Sequence, residues 1–444
     1  MRVAVIGGGI AGLAAAFHLA QAGAEPVVLE GSPEIGGKLR QASLGDLSVD
    51  VGAEAMLARR PEALELVEAV GLSADLVAPE PIPSMVWSRG ALRALPPTIM
   101  GVPADLGALA ASGVLAHPVT STSVPVPDHD VSVGQFVAER LGREVVDRLV
   151  EPLLGGVYAG YADRLSLRSA APVIAELGPD LLAGALERAS VPKAPGPALM
   201  GLRGGVGRLP QAVAEAGGFE VRTRATVRGL RRDGDGWELV VGPTTAAVRE
   251  CFDAVVMAAP APAASRLLAE VAPRAAFALA GLDYASMVVV SFLLEGAELP
   301  SGTGFLVPPV ESTQIKAATF STRKWAWLAE SAGGATIVRT SLGRAGETAT
   351  LQRDDASLTD LALSDLRAMV EPDGSIGSVA GTTVQRWGGG LPQYEVGHGD
   401  LVRTVVEDVA TVPGLELCGA AYEGVGIAAV VATGRAAARR TLAG

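Results

Sequence analysis

Apolar and polar positions change period several times along the chain. Arg2-Val-Ala-Val-Ile6 is an unbroken strand-favouring run and predicts a buried strand. Ala11 to Ala22 follows with helical spacing, stopped at Gly23, and Pro26-Val-Val-Leu-Glu30 predicts a second strand. A βαβ opening of this kind belongs to the doubly wound α/β class. Downstream, the pattern predicts a helix over Pro61–Val70 and a strand pair near Met85–Leu92 turning at Arg89-Gly90. A Pro-rich, mainly helical stretch then runs from about Pro96 to Met200, with Ser132 capping a helix over Ser132–Val150. A short helix over Gln211–Ala216 precedes strands over Phe219–Arg224 and Thr226–Val241, the latter folded at Asp233-Gly-Asp-Gly236. Asp253–Met257, Met287–Leu294, Thr336–Ser341 and Leu415–Cys418 read as strands, and Ser357–Met369 and Gly426–Leu442 as helices.

Composition narrows the class. In 444 residues, 49% are hydrophobic and 19% charged, which makes a folded globular protein with a sizeable core. The net charge of −12 argues against a nucleic-acid partner, which needs a basic surface, but a local cation cluster can still hold an anion. Two cysteines and four histidines without metal spacing predict no metal site. The first strand begins within two residues, so no signal peptide is expected. The apolar stretches Ile99–Leu115 and Ala285–Leu294 are interrupted or too short to span a bilayer. A cytoplasmic protein is expected, with peripheral membrane contact through Leu95–Leu115 left open.

Chemistry enters at the first turn. Gly7-Gly8-Gly9-Ile10-Ala11-Gly12 is the dinucleotide fingerprint: one glycine for the tight turn, one for close approach of backbone to pyrophosphate, one for helix–strand packing. The helix N-terminus then holds the phosphates. Its position between a strand and a helix, with Glu30-Gly31 ending the next strand about twenty residues on, points to ribose binding by Glu30. Gly36-Gly37-Lys38 would pass over the pyrophosphate, Lys38 adding a positive charge, unless it is an ordinary turn. Asp50-Val51-Gly52-Ala53-Glu54-Ala55 suits a segment lying along a flavin ring, with Gly52 allowing close approach. Val227 suits a strand whose backbone pairs with adenine; core packing is the alternative. Near the C-terminus, Gly419 and Val425-Gly426-Ile427 lead into the last helix, whose N-terminus would stabilise negative charge on a reduced flavin. Both ends of the chain thus read as parts of one FAD-binding domain, with one non-covalent FAD per chain.

Four internal segments make a narrower resemblance. Glu151-Pro-Leu-Leu-Gly-Gly-Val-Tyr-Ala-Gly160 with Asp163-x-Leu-Ser166, Gly204-Gly-Val-Gly-Arg-Leu-Pro210, Gly304-Phe-Leu-Val-Pro308, and Arg386-Trp387 with Leu391-Pro-Gln-Tyr-x-Val-Gly-His398 occur in the order found in the oxygen-dependent porphyrinogen oxidases of haem synthesis. The chain resembles this family over its whole length, with Tyr161 where relatives carry Asp and Glu54 where many carry Pro. The resemblance implies a Rossmann-like FAD domain of the amine oxidase and phytoene desaturase type over 1–82, 203–284 and 395–444. It further implies a mixed-sheet substrate domain over 83–95 and 285–394, and an inserted helical, membrane-associating domain over 96–202.

What the resemblance implies for function is oxidation of a porphyrinogen in three hydride transfers to flavin N5, with oxygen reoxidising the flavin and forming hydrogen peroxide. No histidine or cysteine is expected as catalyst. Substrate propionates need Arg or Lys partners, and the resemblance points to Arg60 first, then Arg59; solvated surface arginines are the alternative. Trp325 and Leu306 are expected as walls of the substrate ring, Trp387 as lining of the flavin pocket and Arg386 as its support; core packing is the alternative for Trp325 and Leu306. The Ala-, Gly- and Arg-rich, Lys-poor composition suggests a GC-rich, actinobacterial source, and the resemblance to members of that kind implies coproporphyrinogen III rather than protoporphyrinogen IX as substrate. Other flavin amine oxidases or desaturases, and a flavin-binding scaffold without turnover, are the competing readings. Docking to the next haem-pathway enzyme, and a monomer against a homodimer, are left open.

Overall fold

The computed structural model describes residues 1–192 and 196–444. Its centre is a five-stranded parallel sheet ordered Glu220–Arg222, Glu25–Leu29, Arg2–Ile6, Ala254–Met257, Leu415–Leu417. The three central strands, Glu25–Leu29, Arg2–Ile6 and Ala254–Met257, are almost wholly buried and apolar because both faces are covered. Val3, Val5, Val28 and Val256 point into one core with the helices Ile10–Gln21, Pro61–Ala69 and Ile427–Ala443. Ala4, Ile6, Val27, Leu29, Val255 and Met257 point into the other. That second core is shared with the antiparallel sheet Val227–Asp233, Gly236–Val241, Val248–Phe252 and the helices Ala261–Leu268 and Pro273–Ala280. Continuous apolar strands of this kind are what a doubly wound sheet requires.

A second, seven-stranded mixed sheet runs Ser378–Pro392, Tyr284–Glu295, Thr336–Leu342, Ile315–Phe320, Gly304–Leu306, Met85–Ser88, Ala91–Ala94. Only the Gly304–Leu306 and Met85–Ser88 pair is parallel. The edge strand Ser378–Pro392 has no forecast in the apolar pattern.

The segment between the sheets is helical, with Leu106–Ser112, Val133–Leu141, Glu151–Tyr158 and Leu181–Ser190 as its larger helices. Ser132 caps as expected, accepting from the Gln135 N–H at 3.1 Å. The single helix expected over Ser132–Val150 is instead broken at Gly142, whose φ of +85° leaves the helical region. It resumes at Arg143 and passes through a π-turn at Val146–Val150. Within the apolar 95–115 stretch, Val102, Leu109 and Val114 are buried in the helical core while Leu106 is exposed. No helix among the described residues is long and apolar enough to cross a membrane.

Candidate active site

The two ends of the chain meet through small residues. The fingerprint helix Ile10–Gln21 packs on the C-terminal helix Ile427–Ala443, and Gly434 makes the close crossing: a Cβ there would overlap the Ala11 carbonyl oxygen. A Cβ on Gly12 would likewise overlap the Gly7 carbonyl oxygen, while Gly7 itself sits at φ +116°. Gly9 is different: a Cβ there would meet nothing within 4 Å, so the backbone at this turn faces open space. Glu30 is held in place by two backbone donors, Gly8 N–H to Oε2 and Ser32 N–H to Oε1, both at 2.7 Å. Each oxygen keeps a lone pair for a ribose hydroxyl.

Both helices begin at glycines, Gly9 and Gly426, with no side-chain cap. Their first-turn N–H groups therefore lack intrahelical partners and carry the positive end of the helix dipole. Between them opens a cavity of about 670 Å³, within the range of cofactor and substrate sites. Lys38 lies in its wall, partly buried and without an ion-pair partner among the described residues, and loss of solvent pushes its ammonium down to about 8. An uncapped helix start and an unpaired cation beside open backbone fit a diphosphate.

The segment Asp50–Ala55 forms another wall. There is no room for a side chain at Gly52, where a Cβ would overlap the Lys38 carbonyl. Arg339 donates to the Gly52 carbonyl at 2.8 Å and Trp387 Nε1 to that of Val51 at 3.0 Å. The Asp50 carboxylate accepts from the Val206 and Gly207 N–H groups, both at 2.9 Å, which ties the Gly204–Pro210 segment to this wall. Glu54 bonds Arg339, Lys324 at 3.1 Å and Trp325 Nε1 at 2.7 Å. Burial would raise its carboxyl, but Lys324, Arg339 and the Trp325 N–H outweigh burial and hold it at about 2. The Leu391–His398 segment supports the C-terminal wall: the Tyr394 hydroxyl donates to the Ala420 carbonyl at 2.8 Å and accepts from Gly424 N–H at 2.7 Å.

Of the residues singled out in the sequence, Gly7, Gly9, Ile10, Ala11, Glu30, Gly37, Lys38, Gly52, Ala53, Glu54, Leu306, Trp387, Gly419, Val425, Gly426 and Ile427 line the cavity. Gly8 and Gly12 shape the turn behind it, and Gly31 packs against Thr226. The side chains of Ala55 and Val227 pack against core residues.

Four further residues singled out in the sequence lie outside the cavity lining. Arg59 and Arg60 are exposed and outside the cavity lining, Arg60 pairing with Glu62 at 3.0 Å at the start of the Pro61–Ala69 helix. Trp325 is only 4% exposed and belongs to a separate core, its ring stacked over Gly201 and its N–H spent on Glu54. Arg386 points away from Trp387, as successive strand residues must, and bonds Asp355 and the Leu351 and Arg353 carbonyls. The sequence reading missed Lys316, Arg339 and Tyr422, which all line the cavity. Tyr422 carries a buried hydroxyl with no partner among the described residues.

Acid–base groups are scarce. Cys418 lines the cavity, but burial pushes its thiol up to about 12, so it is an inert thiol. His398 is stacked on Tyr394 at 3.8 Å, and burial pushes it down to about 4, a neutral packing residue outside the lining.

The fold is a doubly wound α/β sheet whose cavity, with an open backbone turn and a cation that fit a diphosphate, extends against a second sheet. Residues 10–442 match the family described as flavin containing amine oxidoreductase. The chain is 35% identical to the coproporphyrinogen III oxidase of Mycobacterium leprae (strain TN), covering 97% of this chain and 96% of that one. It is 28% identical to the enzyme of that name from Bacillus subtilis (strain 168), over 98% and 97% of the two chains. Among solved structures, an Exiguobacterium sp. 255-15 protein described as a protoporphyrinogen oxidase superposes with TM-score 0.87 at 28% identity, covering 100% of this chain and 99% of that one. Putrescine oxidase bound to putrescine shares the fold, with TM-score 0.70 at 17% identity and full coverage of both chains. The chain belongs to the flavin-containing amine oxidoreductase family, and it is a flavin-dependent oxidoreductase.

Proposed function

We propose that the protein is an FAD- and oxygen-dependent coproporphyrinogen III oxidase of the cytoplasm, taking six electrons from the macrocycle and forming coproporphyrin III and three molecules of hydrogen peroxide. The supporting relatives carry that name at up to 35% identity over nearly the whole chain. The observation that carries the reading is the chamber itself. Beyond the dinucleotide cradle its wall is largely apolar, with Met287, Val289, Leu306, Ala317 and Leu391, and it offers no histidine, thiolate or free carboxylate as a base.

FAD, when bound, supplies the chemistry, accepting hydride and passing electrons to oxygen. The chain's own residues position and protect. Gly9, the Ile10 and Ala11 N–H groups and Lys38 would hold the diphosphate, Glu30 the ribose, and Gly52, Trp387 and the Gly426–Ile427 helix start the ring. The apolar wall excludes water and presents a bridging carbon of the macrocycle to the cofactor, which is a matter of proximity and orientation. An amine oxidase is the weaker reading, because Lys316 places an unpaired cation in the chamber, where it repels a protonated amine.

The test is turnover by purified, flavin-loaded protein of coproporphyrinogen III, protoporphyrinogen IX and a primary diamine, following porphyrin fluorescence and peroxide. Porphyrin formation with coproporphyrinogen III the preferred substrate is expected. Peroxide from the diamine alone would overturn the reading. A yellow protein that is not bleached anaerobically by any of the three would make it a scaffold.

A further inference from the structure

Lys316 occupies an irregular position in its strand. Ile315 stands opposite Leu342 and Ala317 opposite Ser341, so two positions on Ile315–Phe320 span one step of Thr336–Leu342. In an unbroken strand Ile315, Ala317 and Thr319 would share one face and Lys316 would take the other. The bulge breaks this alternation. Lys316 joins Ala317 and Thr319 in the cavity wall, while Ile315 goes to the apolar core of the sheet. Bulges beside active sites commonly re-aim a side chain in this way. Val307 N–H fixes the bulge by donating to the Lys316 carbonyl at 2.9 Å.

The ammonium delivered by this bulge makes no hydrogen bond or ion pair among the described residues, although Lys316 is only 4% exposed. The charged groups around it are Arg344 and Glu347. Both are engaged elsewhere: Arg344 donates to the Val307 carbonyl at 2.9 Å and Glu347 accepts from the Tyr161 hydroxyl. Burial first, then Arg344, push Lys316 down to about 7, with Glu347 opposing. The neighbouring wall, Gly156, Val157, Leu306 and Ala317, carries no charge. A buried cation without a partner is unfavourable unless a ligand supplies the counter-charge. A diphosphate would meet that need for Lys38 in the cofactor cradle, and Lys316 poses the same need on the second sheet.

We propose that Lys316 anchors a carboxylate of the substrate, seating one propionate beside Leu306 while the ring lies on the apolar wall. The inference rests on the porphyrinogen reading, since that substrate joins an apolar ring to several carboxylates. It replaces Arg59 and Arg60, which stand outside the cavity.

Binding of coproporphyrin III and of its tetramethyl ester to the flavin-loaded protein, followed by porphyrin fluorescence anisotropy, tests it without turnover. At about pH 6, where the Lys316 amine is charged, Lys316→Met is expected to weaken coproporphyrin III binding about tenfold or more. Ester affinity and flavin content are expected to be unchanged, and Lys316→Arg to keep most of the affinity. In the wild type, affinity for the tetra-acid should fall as pH rises above about 7 while that for the ester stays level. Lys316→Met should lose this slope. If Lys316→Met keeps its flavin and binds the tetra-acid as tightly as wild type, the anchor is overturned and the porphyrinogen reading stands. If wild type binds neither porphyrin, both fall. Should Lys316→Met lose its flavin, the wild-type pH dependence decides, and equal slopes for acid and ester overturn the anchor.

Discussion

Glu54 shows how much one side chain can organise. It lines the cavity yet meets no solvent to speak of, and Arg339, Lys324 and Trp325 all converge on it. Arg339 also holds the Gly52 carbonyl, so the pair fixes the backbone of this cavity wall. The carboxylate is the hub of a charge network joining the Asp50–Ala55 segment to the second sheet. Glu54→Gln should leave Arg339 and Lys324 without their counter-charge and cost about 3 kcal/mol at neutral pH. The sign of the pH dependence follows from the depressed carboxyl. A group held at about 2 in the folded protein, against 4.5 otherwise, contributes stability that is complete above pH 4.5 and is lost as pH falls through about 2. Urea unfolding should therefore show the Gln variant's deficit at pH 7 and a smaller deficit near pH 3. An equal deficit at both would mean that packing, not charge, explains the loss.

At the scale of elements, the two helices that start at the cavity are mutually dependent. Gly434 lets the C-terminal helix touch the backbone of the fingerprint helix at Ala11, with Ala15 N 3.1 Å from where a Cβ would stand. Gly434→Val must push the helices apart, at about 1–3 kcal/mol on the scale of overpacked cores, and must shift both helix starts relative to the cavity. Lower flavin content and a lower melting temperature are expected together, with Arg439→Ala, on the exposed side of the same helix, as the unaffected control. A variant that melts lower but keeps full flavin would uncouple packing from the cradle. This pairing of the termini was legible in the sequence because glycines at Gly7, Gly9, Gly12 and Gly426 have local, one-residue reasons to exist. Features set by neighbouring strands were not legible. The strand Ser378–Pro392 holds Gly381, Gly388, Gly389, Gly390 and Pro392, residues that read as breakers, and it survives through its ladder to Tyr284–Glu295. The Lys316 bulge is a mismatch between two strands and leaves no mark in either alone. Arg59, Arg60 and Trp325 stand outside the cavity lining for the same reason: where they point depends on the surrounding packing.

For the whole molecule, the nucleotide-binding sheet is assembled from strands as far apart as Arg2–Ile6 and Leu415–Leu417, so a bound dinucleotide ties together distant parts of the chain. A ligand that binds only the folded form stabilises it by mass action, about 2.7 kcal/mol at one hundred times its dissociation constant. How that stabilisation divides along the ligand can be measured. On the proposed reading FAD would engage both uncapped helix starts, Lys38 and Glu30, whereas riboflavin, without the diphosphate, ribose and adenine, would engage only the Gly52, Trp387 and Ile427 end. Thermal unfolding of flavin-stripped protein should therefore show a concentration-dependent rise with FAD and a much smaller one with riboflavin at equal concentration. Lys38→Met should narrow the gap from the FAD side only, because the lost partner is the diphosphate. If riboflavin stabilised the protein as well as FAD, the Gly7–Gly12 turn and Lys38 would be ordinary structural features. The case for a dinucleotide cofactor would then fail, even with the flavin end of the cavity intact.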